Sequence, residues 1–313
     1  MAQEWQIDGP KVLDIGDEFE TVSKLKLGLV AGRVDIVTHD DSPTARIEVH
    51  EVQGKPLLVT WDGSTLKVTH VKDKDGSLWD SVKLIGTDKG KRMARVSISV
   101  PAATHINAST VSAEALINGV RATVKANTVS GSLTLDDIVG NVNANTVSGE
   151  IECHALEGDF KGNSVSGALT VQASRLSLIN LNTVSGDITL DLTDGRAQIQ
   201  SNSVSGDVTV RIPQGGGYDV AAHTASGHVV IDGKSVRGSG PHQGGGQLSD
   251  GDKALVIKAN SLSGNVVVLR ATGVQDTASG VQDAVPDIQD AVPEIRDAAT
   301  NVQDEAPDTE NAG

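Results

Sequence analysis

Apolar and polar residues alternate in short bursts along most of this chain, and the bursts recur. In residues 124–142, Val124 and Ala126 make one burst and Leu133 and Leu135 the next, each with the two-residue period of a half-buried strand. Ser130-Gly131 interrupts the alternation between them, and Asp136-Asp137 with Gly140 interrupts it again. Clusters of this kind mark bends, and a glycine there can take positive φ at no steric cost. The pattern therefore predicts a unit of two short strands and two corners, with no room for a helix.

The interruption has a fixed wording. Asn-Thr-Val-Ser-Gly occurs at 127–131, 145–149 and 182–186, and Asn-Ser-Val-Ser-Gly at 163–167 and 202–206. A divergent copy is His223-Thr224-Ala225-Ser226-Gly227, and the last is Asn260-Ser261-Leu262-Ser263-Gly264. The corner glycines Gly131, Gly149, Gly167, Gly186, Gly206 and Gly227 lie 18, 18, 19, 20 and 21 residues apart, and Gly264 follows 37 later. A period of this length marks a repeat architecture in which each unit buries its apolar side only against its neighbours. Stacking the units places Leu133, Ile151, Leu169, Ile188, Val208, Val229 and Val266 in one column, and Leu135, Cys153, Val171, Leu190, Val210, Ile231 and Val268 in another. The expected fold is all-β: a single-stranded parallel β-solenoid (β-helix) of about 18–21 residues per coil.

Within that fold the recurring asparagines Asn127, Asn145, Asn163, Asn182, Asn202 and Asn260 form a structural ladder of amides hydrogen-bonded along the axis, with His223 replacing one member. The serines at 130, 148, 166, 185, 205, 226 and 263 read as corner hydrogen-bonding groups. Cys153 takes an inward aliphatic position and is expected to be a buried, inert thiol.

The remainder divides around the repeats. Residues 1–24 read as a leader. Residues 25–107 read as irregular β coils or a cap, with strands at 25–29, 34–37, 47–52, 57–61, 66–71 and 96–100. The solenoid covers 108–270, broken by a Gly-rich segment at 233–252 that is expected to be a mobile loop. The tail, 271–313, carries Val274, Val281, Ile288, Ile295 and Val302 seven apart, but Pro286, Pro293 and Pro307 interrupt it. It is expected to be disordered or partly helical and to serve docking or self-association.

Composition changes the picture in two ways. Aromatic residues are 2% of the chain, so the core must be aliphatic and thin. Net charge is −15, of which the tail holds −9, and this balance speaks against nucleic acid or an anionic membrane surface as the main partner. A single cysteine excludes an internal disulfide. The first residues show neither a basic nor an apolar signal region, and nowhere do eighteen apolar residues run together; a cytoplasmic location without a membrane span is the expectation.

Catalytic motifs fall short. Gly233-Lys234-Ser235 resembles the end of a phosphate loop, but Gly227 is wrongly spaced and no helix is predicted to follow. Asp187 and Asp207, after the corner in neighbouring coils, could share a cation but lack the glycine-aspartate calcium repeat. Arg175, Arg196 and Arg211 sit at unequal places in their coils, unlike the acid-base clusters of solenoid polysaccharide lyases. No catalytic residue, cofactor or metal site is expected.

The corner Val-Ser-Gly-x-(Leu/Ile/Val)-Thr-(Leu/Val), following a strand region that ends in Ser99-Val100-Pro101, resembles a family of bacterial β-strand-repeat domains of unknown function, called putative adhesins. The resemblance covers roughly 25–270 and implies a repeat fold; the family's label implies surface exposure. The residues themselves favour a non-enzymatic structural or protein-interaction scaffold. The alternatives are an exported adhesin or glycan-binding β-helix and, less favoured, a polysaccharide lyase or hydrolase.

Overall fold

Strands, and no helix, make up the regular elements of the computed structural model, which describes residues 3–70, 92–236 and 244–271. The alternation read from residues 124–142 becomes the strands Val124–Thr128 and Leu133–Asp136, with the corner Val129–Ser132 between them. Each successive unit lays its two strands in register on those of the unit before, and two sheets result. Sheet I contains the strands after the corner. In it Leu133 pairs with Ile151, Ile151 with Leu169, Leu169 with Ile188 and Ile188 with Val208, all in parallel. Sheet II contains the strands before the corner. There Asn127 pairs with Asn145, and the ladder continues through Asn163, Asn182 and Asn202 to Asn260. The stack is solenoid-like.

The inward residues of both sheets are fully buried: Leu133, Leu135, Ile151, Cys153, Ile188 and Leu190 from sheet I face Val142, Phe160, Ile179, Leu181 and Ile199 from sheet II. Each fully buried aliphatic side chain contributes about 1.5–3 kcal/mol, so a thin core repeated over many rungs suffices without aromatic bulk. Phe160 is the one phenylalanine buried among the described residues, and it fills the space above Gly162 and Leu181. Cys153 is buried, and desolvation raises its thiol pKa well above the usual value, so the thiolate is suppressed.

The winding departs from a simple single-stranded solenoid in two places. First, the coils do not stack in the order of the sequence. Strand Leu255–Ser261 pairs with Gln198–Ser203 on one side and with Tyr218–Thr224 on the other. Likewise Val266–Arg270 lies between Val208–Ile212 and Val229–Ile231. The last coil in sequence is therefore the penultimate coil in space. Arg270 holds it there. Its guanidinium lies 5.0 Å from the Tyr218 ring centroid, donates to Asp232 Oδ2 at 3.0 Å and to the Gly216 carbonyl at 3.2 Å, and also bonds Asp250.

Second, both ends of the stack reverse direction. The segment 233–252, expected to be a mobile loop, instead contains strands Lys234–Val236 and Gly244–Asp250, which pair antiparallel with Val229–Ile231 and Tyr218–Thr224. Glycine-rich backbone gives little to bury, but it still supplies the hydrogen bonds that an outermost strand lacks. At the other end, residues expected to be a leader contain strands Gln3–Ile7 and Lys11–Ile15, antiparallel to Leu57–Trp61 and Ala45–Gly54. The two strands predicted at 25–29 and 34–37 are one, Lys24–His39, which runs through both sheets and pairs in parallel with His105–Asn118. The tail, 271–313, lies outside the described residues except for Ala271.

His70 follows the strand Thr65–Thr69 in this N-terminal region. Its ring is buried, and among the described residues neither ring nitrogen has a hydrogen-bond partner. Burial, reinforced by Arg92, lowers its pKa from the ordinary 6.5 to about 4. Between those values the unfolded chain takes up a proton that the folded chain refuses, so stability falls as pH drops from 6.5 towards 4. The expected loss is about 3 kcal/mol, with no contribution from this group above pH 6.5. Urea unfolding across this range should show it, and His70→Phe should flatten that part of the profile.

Candidate functional site

The corner that carries the repeated motif is also the most regular exposed surface of the stack. Its asparagines bond in one direction throughout. Asn145 donates to Asn127 Oδ1 at 2.9 Å, Asn163 to Asn145 at 2.7 Å and Asn182 to Asn163 at 2.9 Å. Asn202 donates to Asn182 at 3.0 Å, and Asn260 to Asn202 at 3.1 Å, across the place where sequence order is broken. His223 stands in register beyond Asn260.

The next residue in each motif points inward, and the sequence reading gave it no role. The Thr146 hydroxyl accepts from the Gly149 N–H at 2.8 Å, Thr183 from Gly186 at 2.9 Å, and Ser164 from Gly167 at 2.9 Å. Ser164 and Ser203 also donate to the carbonyls of Gly167 and Gly206. A buried hydroxyl thus closes each corner on itself. The signal was available in the sequence, since this position is always Thr or Ser. Thr146→Val removes the acceptor and leaves the Gly149 amide unpaired; a loss of about 1–3 kcal/mol in denaturant unfolding is expected.

The serines that precede the glycines donate to the coil below: Ser148 to the Val129 carbonyl at 3.2 Å, Ser166 to Val147 at 3.2 Å, and Ser263 to Val204 at 3.3 Å. The corner glycines themselves correct the sequence reading. From Gly131 to Gly264, none of the seven has positive φ; positive φ occurs at the opposite corner, as in Gly140 (149°) and Gly158 (123°). What the motif glycine provides is close approach. A Cβ on Gly167 would overlap the Gly149 carbonyl, one on Gly264 the Gly206 carbonyl, and one on Gly227 the Gly264 carbonyl.

Asp187 and Asp207, the pair that could share a cation, each accept a backbone N–H from the adjacent coil. Asp187 Oδ1 accepts the Asp207 N–H at 2.9 Å, and Asp207 Oδ1 accepts the Asn265 N–H at 2.7 Å, so each carboxylate is used to cap the next coil. Among the described residues no three or more His, Cys, Asp and Glu side chains cluster as metal ligands. Gly233-Lys234-Ser235 lies at a hairpin between strands Val229–Ile231 and Lys234–Val236, not at a helix N-terminus. No helix of the described residues is long and apolar enough to cross a membrane.

Between the asparagines and serines, the motif leaves an aliphatic side chain outside. Val147, Val165, Val184, Val204 and Leu262 are 39–58% exposed and occupy the same place in successive rungs. The surface at this corner is thus a ridge of aliphatic groups with an amide row on one side and a hydroxyl row on the other.

A parallel stack of short coils, stapled by amide, hydroxyl and glycine columns, defines a β-strand-repeat domain. The chain belongs to the Toastrack DUF4097 family, which it matches over residues 23–269, a domain family of unknown function. No curated protein matches it. Among solved structures, it is similar to one from Clostridium sporogenes called a putative cell adhesion protein, at 12% identity and a TM-score of 0.29, covering 84% of this chain and 100% of that one. It is also similar to one from Parabacteroides distasonis called a putative lipid binding protein, at 13% identity and a TM-score of 0.45, covering 84% of this chain and 97% of that one.

Proposed function

We propose that this protein is a non-enzymatic interaction scaffold that holds a partner protein along its corner ridge, and that it works in the cytoplasm. The observation that carries the reading is the alignment of Val147, Val165, Val184, Val204 and Leu262 on the exposed corner. Exposed valines scattered singly need no explanation, whereas a contiguous row rimmed by polar groups is the usual mark of a protein contact. The row is rigid, because each rung is fixed by its own hydroxyl staple and by the rung below, so a partner binding there loses little to ordering the scaffold. The tail, 271–313, supplies a second segment for docking or self-association, through apolar positions repeated at seven-residue spacing.

Val165→Asp with Val184→Asp tests the ridge. Both side chains are exposed, so thermal stability should change little. A crosslinking pull-down should capture a partner with the wild type and lose it with the double variant. Capture that is unchanged by the double variant, or a wild-type monomer at high concentration with no captured partner, contradicts the reading. A truncation after residue 270 that leaves partners and oligomeric state unchanged removes the tail from it.

A further inference from the structure

The overall charge of −15 conceals a segregation that only the stacking order reveals. On the outside of sheet II, the residue two before each ladder asparagine forms its own column. In spatial order it runs Lys67, Lys26, Asn107, Lys125, Asn143, Lys161, Asn180, Gln200, Lys258. Five lysines share this column, and no carboxylate stands between Lys67 and Lys258; beyond Lys67 it continues through Thr60 to Glu4. The neighbouring amide column, Asn127 to Asn260, is uncharged. The column on the other side adds Lys24 and His105 at one end and contains Asp159 and Asp219 further along.

Sheet I is the opposite. Its outer surface carries Asp35, Glu48, Glu51, Glu114, Asp136, Glu152 and Asp191. The arginines there are already paired: Arg33 with Asp35 at 3.0 Å, Arg46 with Glu48 at 2.7 Å, Arg95 with Glu51 at 3.7 Å and Arg211 with Asp191 at 3.4 Å. Among the described residues, by contrast, no ion pair involves Lys26, Lys125, Lys161 or Lys258. These four exposed lysines stand in one file on the sheet.

We propose that the outer face of sheet II binds a linear acidic polysaccharide lying along the stack axis. Lys26 to Lys125 and Lys125 to Lys161 are each two rungs apart, about 9.6 Å, and the file from Lys26 to Lys258 is about 34 Å long. A polymer with carboxylates at regular intervals can meet such a file at several points at once, and weak contacts then add through multivalency. The adjacent asparagines provide the complementary chemistry. Asn163, Asn182 and Asn202 each spend one N–H and one acceptor site on the ladder and keep a second N–H and a second lone pair for sugar hydroxyls, whereas Asn145 gives its second N–H to Asn143 Oδ1.

The same columns disfavour other polyanions. They contain no arginine and no aromatic side chain, so they offer neither the bidentate phosphate fork nor the base-stacking platform used on nucleic acids. The lysine and amide columns offer no apolar wedge for a bilayer either. The proposal concerns a different surface from the aliphatic ridge and stands or falls separately from it.

Calorimetry of the full chain with polygalacturonate is the test, with pullulan as the neutral polymer. Binding should be measurable to polygalacturonate, absent for pullulan, and weakened by added salt. The combined variant Lys125→Gln, Lys161→Gln, Lys258→Gln should bind about tenfold or more weakly, whereas Glu152→Gln with Asp191→Asn on sheet I should bind at least as well as the wild type. Lys161→Gln alone should weaken binding severalfold, which keeps the test decisive if the combined variant loses its thermal transition. Val165→Ser with Val184→Ser, which alters the ridge without adding charge beside the amide row, should bind polygalacturonate normally. Absence of binding, equal binding to pullulan, or binding unchanged in the lysine variants overturns the proposal. So does binding to single-stranded DNA or phosphatidylglycerol vesicles while polygalacturonate stays unbound.

Discussion

Gly167→Ala should prevent this chain from folding or cost it about 3 kcal/mol or more, as measured by denaturant unfolding. The cause is steric and lies entirely in the stack. A Cβ at residue 167 would overlap the backbone carbonyl of Gly149 one rung away, and a backbone atom in a ladder cannot move aside like the end of a flexible side chain. Relief would require opening the spacing between two coils, and so breaking the Asn163–Asn145 amide bond and the Ser166–Val147 contact beside it. Gly195→Ala is the matched control. Its nearest neighbours, Pro213 and Gly216, lie at ordinary contact distance, and Gly195 does not have positive φ, so a change within about 0.5 kcal/mol is expected.

Phe160→Ala should be the most damaging change among the inward side chains, at about 3–5 kcal/mol. The residue is almost fully buried, and its ring lies beside Gly162, where an added Cβ would meet both the ring and Leu181. Neighbouring rungs place Val124, Val142 and Ile179 at this position, so the ring is larger than its column requires. Gly162 beside it, where the column otherwise has Ala126, Ala144 and Leu181, makes the room. Phe160→Leu should recover most of the loss, and a double variant Phe160→Leu with Gly162→Ala should be close to additive or better if the two volumes compensate. Thermal melts of the three variants would show it.

The columns were legible because the chain states them repeatedly. A two-residue alternation fixes which side chains face inward, and a constant interval fixes which of them meet, so the Leu133 and Leu135 columns and the asparagine ladder follow from spacing alone. The motif glycine was misread because permissive φ is the usual reason for glycine at a bend. Its actual constraint is a carbonyl of another coil, which no local pattern displays. The buried Thr146 column was visible as an invariant hydroxyl but was overshadowed by the exposed serine two residues on.

Stacking order was not legible at all. Gly227 and Gly264 end equivalent motifs, and identical ladders accept either neighbour, so sequence order was the only guide. What overrides it is the pair of antiparallel strands Lys234–Val236 and Gly244–Asp250, which occupy the outer edge and leave the next coil to enter beneath. The 37-residue gap before Gly264 was the sole trace of this. The lysine file escaped for a related reason. Its members alternate irregularly with Asn and Gln, and the pattern emerges only when the residues two before each ladder asparagine are lined up in spatial order.

Disulfide trapping across the ladder tests the stack most directly. Adjacent parallel strands lie about 4.8 Å apart, within the Cα separation a disulfide tolerates, whereas strands two rungs apart are about 9.6 Å away and cannot be bridged. Asn202→Cys with Asn260→Cys should therefore close to a crosslink under mild oxidation, while Asn202→Cys with His223→Cys should remain reduced. The reverse outcome would mean that the coils follow one another in chain order, and the absence of both crosslinks would mean that the asparagines do not lie on a common line.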